Sequence, residues 1–137
     1  MERGELAVDG RRAAVFVFDG LLATCEHPRY ERRALKQRDW DKALDAWTWQ
    51  YKIVDYAYNL MSRYNTRVEV ITWHPHGFAL ALSDRLYDMS LPVSDVTGGD
   101  YERLSQLIAV DNDISVVYDP EPAHRWGYGW KVRELNG

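Results

Sequence analysis

Residues 13–18, Ala-Ala-Val-Phe-Val-Phe, form a short unbroken apolar run rich in β-branched and aromatic residues. Such a run fits a strand buried on both faces, as in a parallel sheet. Asp19-Gly20 ends it. Residues 67–72 (RVEVIT) and 114–119 (ISVVYD) read as two further strands, and 91–96 (LPVSDV) as a short strand or extended link. Between them the period lengthens. Leu44, Trp47, Tyr51, Val54, Tyr58 and Met61 recur in alternating steps of 3 and 4, which predicts one helix of about 20 residues. Asp39 or Asp41 can cap its start and Asn65 can end it. Phe78, Leu82 and Leu86 mark a helix over 75–89, and Leu104, Leu107 and Ile108 mark another over 100–110. Residues 20–38 show no clear period. A turn or short helix is expected at PEPAHRWG and an edge strand near YGWKVREL.

Strands alternating with helices imply βαβ units. The expected fold is α/β, a three-layer Rossmann-like sandwich with a mainly parallel central sheet and no large cap domain. Residues 1–11 read as a polar arm and 12–137 as a single domain. Ligands of such sheets sit at the carboxyl ends of the strands. Those ends carry Asp19, Thr72 and Asp119.

Composition narrows the function classes. The 137 residues carry a net charge of −4, which argues against a broad groove that tracks phosphates but leaves room for a small basic pocket. The single cysteine, Cys25, excludes an intramolecular disulfide and any zinc cluster built on cysteines. The first residues lack the apolar core of a signal peptide, and no apolar run approaches the ~20 residues of a membrane span. Cytoplasm is the expected location, with no membrane partner. Six Trp and nine Tyr are many for this length.

Each candidate residue has a plain reading beside its chemical one. Asp19 can cap the strand-to-turn junction, with Gly20 supplying a positive φ. Thr72 can be a β-branched strand residue, and Asp119 before Pro120 a turn starter. His74 and His76 flank Pro75 at a spacing that rarely converges on a metal. Cys25 has no Cys/His/Asn constellation around it. Thr97-Gly98-Gly99-Asp100 can cradle an anion or cap a helix, and Asp100 favours capping. Arg29, Arg32, Arg33, Lys36 and Arg38 form a basic cluster that is either a solvated face or a phosphate contact. Trp40, Trp49 and Tyr56 fall off the helical stripe. With Trp73, Trp126 and Trp130 they either pack against neighbours or make an aromatic surface for a protein partner or a second copy.

Four fragments in order resemble the haloacid dehalogenase-like (HAD) superfamily, in particular the phosphatase domain of phage-type polynucleotide kinases. They are VFDGLLATCEHPR, KQRDWDKAL, VEVITWHP and VVYDPEP, and the resemblance spans about residues 14–132. In that family the first strand ends in Asp-x-Asp-Gly-Thr-Leu-Ala-Asp. The first Asp attacks phosphorus and the second is the general acid/base. The resemblance places Val17 at the nucleophile, Asp19 at the acid/base, Leu21 at the first motif's Thr, Thr72 at the phosphate-binding Thr, and Pro120 at one of two metal-site acids. No Lys falls near residues 97–100, where the family has one. A rival register makes Asp19 the nucleophile and loses the matches at Gly20, Leu22 and Ala23.

The resemblance therefore implies a catalytically degenerate phosphatase fold, of phage type, acting as a binding or interaction module. Gly20, His27 and Thr72 would face a phosphate, and Asp19 and Asp119 would hold Mg²⁺, weakly. The implied partner is a protein, a phosphorylated small molecule or a nucleic-acid end. The alternative is a residual Mg²⁺-dependent phosphatase acting on nucleotides or nucleic-acid 3′-phosphates.

Overall fold

The computed structural model describes residues 13–126 and the backbone of a final strand at 131–133. The arm expected over 1–11 lies outside the described residues, as does the side chain of Trp130. The elements run β1 (Ala13–Val17), β2 (Ala23–Cys25), α1 (Pro28–Lys36), α2 (Trp40–Asp45), β3 (Trp47–Trp49), α3 (Tyr51–Tyr64), β4 (Arg67–Thr72), α4 (His76–Asp88), β5 (Asp95–Gly98), α5 (Tyr101–Ala109), β6 (Ile114–Tyr118) and β7 (Lys131–Arg133).

The central sheet has the order β5-β4-β1-β6-β7, and every paired neighbour in it is parallel. From β1 the chain steps outward to β4 and β5, then returns across the sheet to β6. Right-handed crossovers put the helices of the outward steps on one face and the returning helix on the other. The core divides accordingly. Ala14, Phe16 and Phe18 join an apolar layer with residues of α1 to α4, while Ala13, Val15 and Val17 join a second layer with Leu104 and Ile108 of α5. Residues of alternate parity along β1 thus feed opposite layers, which is why its sequence is apolar without a break. The architecture is the expected α/β sandwich around a parallel sheet. The reversal of strand order falls between β1 and β6, so the ends of these two strands open onto the switch point of the sheet.

The long helix expected across 39–65 is two helices separated by a strand. β3 pairs antiparallel with β2, Ala23 opposite Trp49 and Cys25 opposite Trp47. Thr48 between two tryptophans is strand-forming sequence, and both indoles pack on Phe18, at centroid distances of 4.7 and 5.6 Å. The stripe also differs. α3 buries Ile53, Val54, Ala57 and Leu60, and leaves Tyr51 64% and Tyr58 49% exposed. A tyrosine keeps its hydroxyl wet at little cost, so its presence in a periodic pattern does not settle which face is inward. Asp39 does cap the start of α2, accepting from Lys42 N at 3.3 Å, and Asn65 ends α3 at φ 52°.

α1 escaped the periodicity because only Ala34 of its nine residues is buried. In α5, Leu104 and Ile108 face inward as expected, but Leu107 is 48% exposed. Asp100 caps α5, accepting from Arg103 N at 2.8 Å. Among the described residues the tryptophans lie buried or half-buried against the core. Trp126 is 1% exposed, and Trp40 and Trp49 are partly buried against the core. Among the described residues the exposed rings are tyrosines, Tyr51, Tyr58, Tyr64 and Tyr87 among them. Among the described residues no helix is long and apolar enough to cross a membrane.

Candidate functional site

β1 delivers Asp19 one residue past Phe18, and Gly20 turns the chain there at φ +87°. This is the left-handed region that glycine enters without strain. The turn sets Asp19 beside the end of β4. Oδ1 of Asp19 accepts from the Thr72 hydroxyl at 2.7 Å and from the Trp73 backbone N–H at 3.1 Å. Oδ2 lies 2.8 Å from His74 Nδ1. The Thr72 side chain is fully buried, so its hydroxyl is committed to this cluster.

His74 is clamped from its other side too. Its Nε2 lies 2.8 Å from Oε2 of Glu31, the single acid of α1, and the same oxygen accepts from Trp47 Nε1 at 2.6 Å. The ring stacks on Phe78 with centroids 4.0 Å apart. Burial alone would lower the His74 pKa. The hydrogen bonds and charges of Asp19, then those of Glu31, outweigh that and raise it above its ordinary value. The chain Asp19–His74–Glu31–Trp47 therefore ties β1, β4, α1 and β3 together through one imidazole ring.

β6 delivers the second acid. Asp119 is 1% exposed, and both its oxygens are used. Oδ1 accepts from Glu121 N at 2.8 Å, and Oδ2 accepts from Trp126 Nε1 at 2.9 Å and faces His124 Nδ1 at 2.6 Å. His124 stacks on Tyr101 at 4.3 Å, and Trp73 stacks on Trp126 at 5.9 Å. The strand-end residues singled out from sequence, Asp19, Thr72 and Asp119, do sit at the ends of β1, β4 and β6. The residues that hold them, His74, Glu31, Trp47, His124 and Trp126, were missed or weighed for another role. The His-Pro-His triplet was the available signal. Its two histidines diverge, His74 turning to Asp19 and His76 opening α4 at the surface.

The remaining candidates separate from this cluster. His27 is exposed at the N-terminal boundary of α1, and no hydrogen bond joins its ring to Asp19 or Thr72. Cys25 lies 3.8 Å from Glu31 Oε1, and burial together with the nearby carboxylates pushes its thiol pKa up, opposite to an activated nucleophile. Val17 is fully buried in the α5-side layer with Ile71 and Val117, and Leu21 is buried as well. The donor set does not suit a resident Mg²⁺. The oxygens of Asp19 and Asp119 are taken by protein donors, and among the described residues no group of three or more His, Cys, Asp or Glu side chains is placed to hold a metal ion.

Compared with known proteins, the chain matches no family model, no curated protein and no solved structure.

Proposed function

We propose that this chain is a catalytically degenerate HAD-like domain, of the phage type its sequence resembles, that binds a phosphorylated ligand or partner without turning it over. The burial of Val17 carries the reading. At the position the resemblance assigns to the attacking carboxylate stands a fully buried side chain among apolar neighbours. Valine has no lone pair to offer phosphorus or a cation. Asp19, the remaining acid of that motif, spends both oxygens on Thr72, Trp73 and His74.

A phosphatase assay tests this. Purified protein with p-nitrophenyl phosphate and Mg²⁺ is expected to give no turnover above the buffer rate. Turnover that disappears in Asp19→Asn would overturn the reading in favour of a residual phosphatase.

A further inference from the structure

Arg29, Arg32, Arg33 and Lys36 fall at successive steps of 3, 1 and 3 along α1, so one face of this helix is a stripe of four cations. All four are exposed, and together they line a surface groove of about 280 Å³. Among the described residues none of them has an ion pair or a side-chain hydrogen bond. The one acid of the helix, Glu31, is turned inward to His74 and Trp47.

That arrangement is unfavourable when empty. Arg29/Arg32, Arg29/Arg33, Arg32/Lys36 and Arg33/Lys36 are like-charge neighbours three or four residues apart, which weaken a helix. The helix dipole opposes Arg29 in the first turn but favours Arg33 and Lys36 in the last, so the unrelieved cost is the repulsion between these neighbours. The chain as a whole is acidic, at −4, so a general basic composition does not explain four uncompensated cations on one face. An anion laid along the stripe would relieve that repulsion.

We propose that α1 binds a chain of phosphate groups in this groove. Three of the four cations are arginines, whose planar fork meets phosphate oxygens two at a time. From residue 29 to 36 the helix rises about 10 Å, long enough to engage more than one phosphate. Tyr30, 45% exposed, is the surface neighbour of Arg33 one turn on, and its ring offers a base a stacking face. The phosphates belong either to a single-stranded nucleic acid or to a free polyphosphate. The groove is distinct from the strand-end acids, so it can fail without reviving phosphatase chemistry, and the reverse.

Fluorescence anisotropy on the full chain tests it, with a labelled twelve-nucleotide oligo-dT at low salt and inorganic tripolyphosphate as competitor. Binding is expected, with a log–log salt slope of roughly −2 to −3 for about four neutralised phosphates. The double substitution Arg32→Gln and Arg33→Gln is expected to weaken binding at least tenfold and to halve that slope. Lys52→Gln, an exposed cation on α3, should leave it unchanged. Weaker binding in Tyr30→Ala with poor competition by tripolyphosphate assigns a nucleic-acid strand, while full competition with a silent Tyr30→Ala assigns a free phosphate chain. No binding in 20 mM salt, equal loss in Lys52→Gln, or equal competition by polyglutamate would overturn the proposal.

Discussion

His74 Nδ1 lies 2.8 Å from Asp19 Oδ2, and this pair joins the end of β1 to the end of β4. Glu31 faces the opposite nitrogen, so both ring nitrogens meet carboxylates, an arrangement that favours the cation. The same oxygens that could receive a ligand are thereby kept inside the protein.

Stability should therefore depend on pH through His74. Its folded-state pKa is raised, since Asp19 and Glu31 outweigh the lowering effect of burial. The contribution is present in full below the ordinary histidine value of about 6.5 and is lost as pH rises through the raised folded value. Thermal melts from pH 6 to 8.5 are expected to fall in midpoint for the native sequence. His74→Gln should lie lower at pH 6 and slope less. Parallel slopes would show that another group titrates.

Val17→Asp distinguishes a missing nucleophile from a rebuilt core. The new carboxylate would enter a layer formed with Ile71, Leu104 and Val117. Burying an unpaired charge there should cost at least about 3 kcal/mol. We expect urea unfolding to shift by that amount and hydrolysis of p-nitrophenyl phosphate to stay at background. A stable, active Val17→Asp would mean the pocket is intact and only the nucleophile is gone.

These two predictions rest on features of unequal visibility in the sequence. β1, β4 and β6 were legible because buried parallel strands are apolar throughout, and polar residues mark their ends. Asp19, Thr72 and Asp119 were found by that rule alone. The partners of these residues were not legible. Glu31 reaches His74 across 43 residues, and His124 reaches Asp119 through a turn that has no periodic pattern. Such pairings are decided by packing between elements, which a local window does not contain. The break in the 39–65 helix was hidden for a related reason. Trp47 satisfies a helical step of 3 from Leu44, but its indole is taken by Glu31 and Phe18 in a strand paired with β2.

Asp119→Asn tests the second cluster. The carboxylate, itself buried, accepts from the buried Trp126 indole and from the Glu121 backbone and faces His124 Nδ1. An amide of the same shape loses the charge and turns one acceptor into a donor. Hydrogen bonds to a buried charge contribute about 1.5–3 kcal/mol each, so a loss of about 3 kcal/mol is expected. Trp126 fluorescence should redden, because the indole loses its acceptor and its seal. An unshifted spectrum with unchanged stability would mean that Asp119 is not the anchor of this end of β6.

Gly98→Ala probes how the strand ends are spaced. A Cβ built at Gly98 would run into the backbone carbonyl oxygen of His74, which cannot swing aside as a side chain would. At Gly20 the obstacle is conformational instead, since φ is +87° and the nearest atom to a Cβ is Pro120 Cγ at 3.6 Å. Entering the left-handed region costs an alanine about 1 kcal/mol. Overpacking against backbone costs about 1–3 kcal/mol and moves what it touches. Gly98→Ala should therefore destabilise more than Gly20→Ala. It should also flatten the pH dependence of the melt, because displacing the 73–75 segment withdraws His74 from Asp19. If Gly98→Ala instead kept the full pH dependence while losing stability, the position of His74 would be set by Phe78 and Glu31 and not by the end of β5.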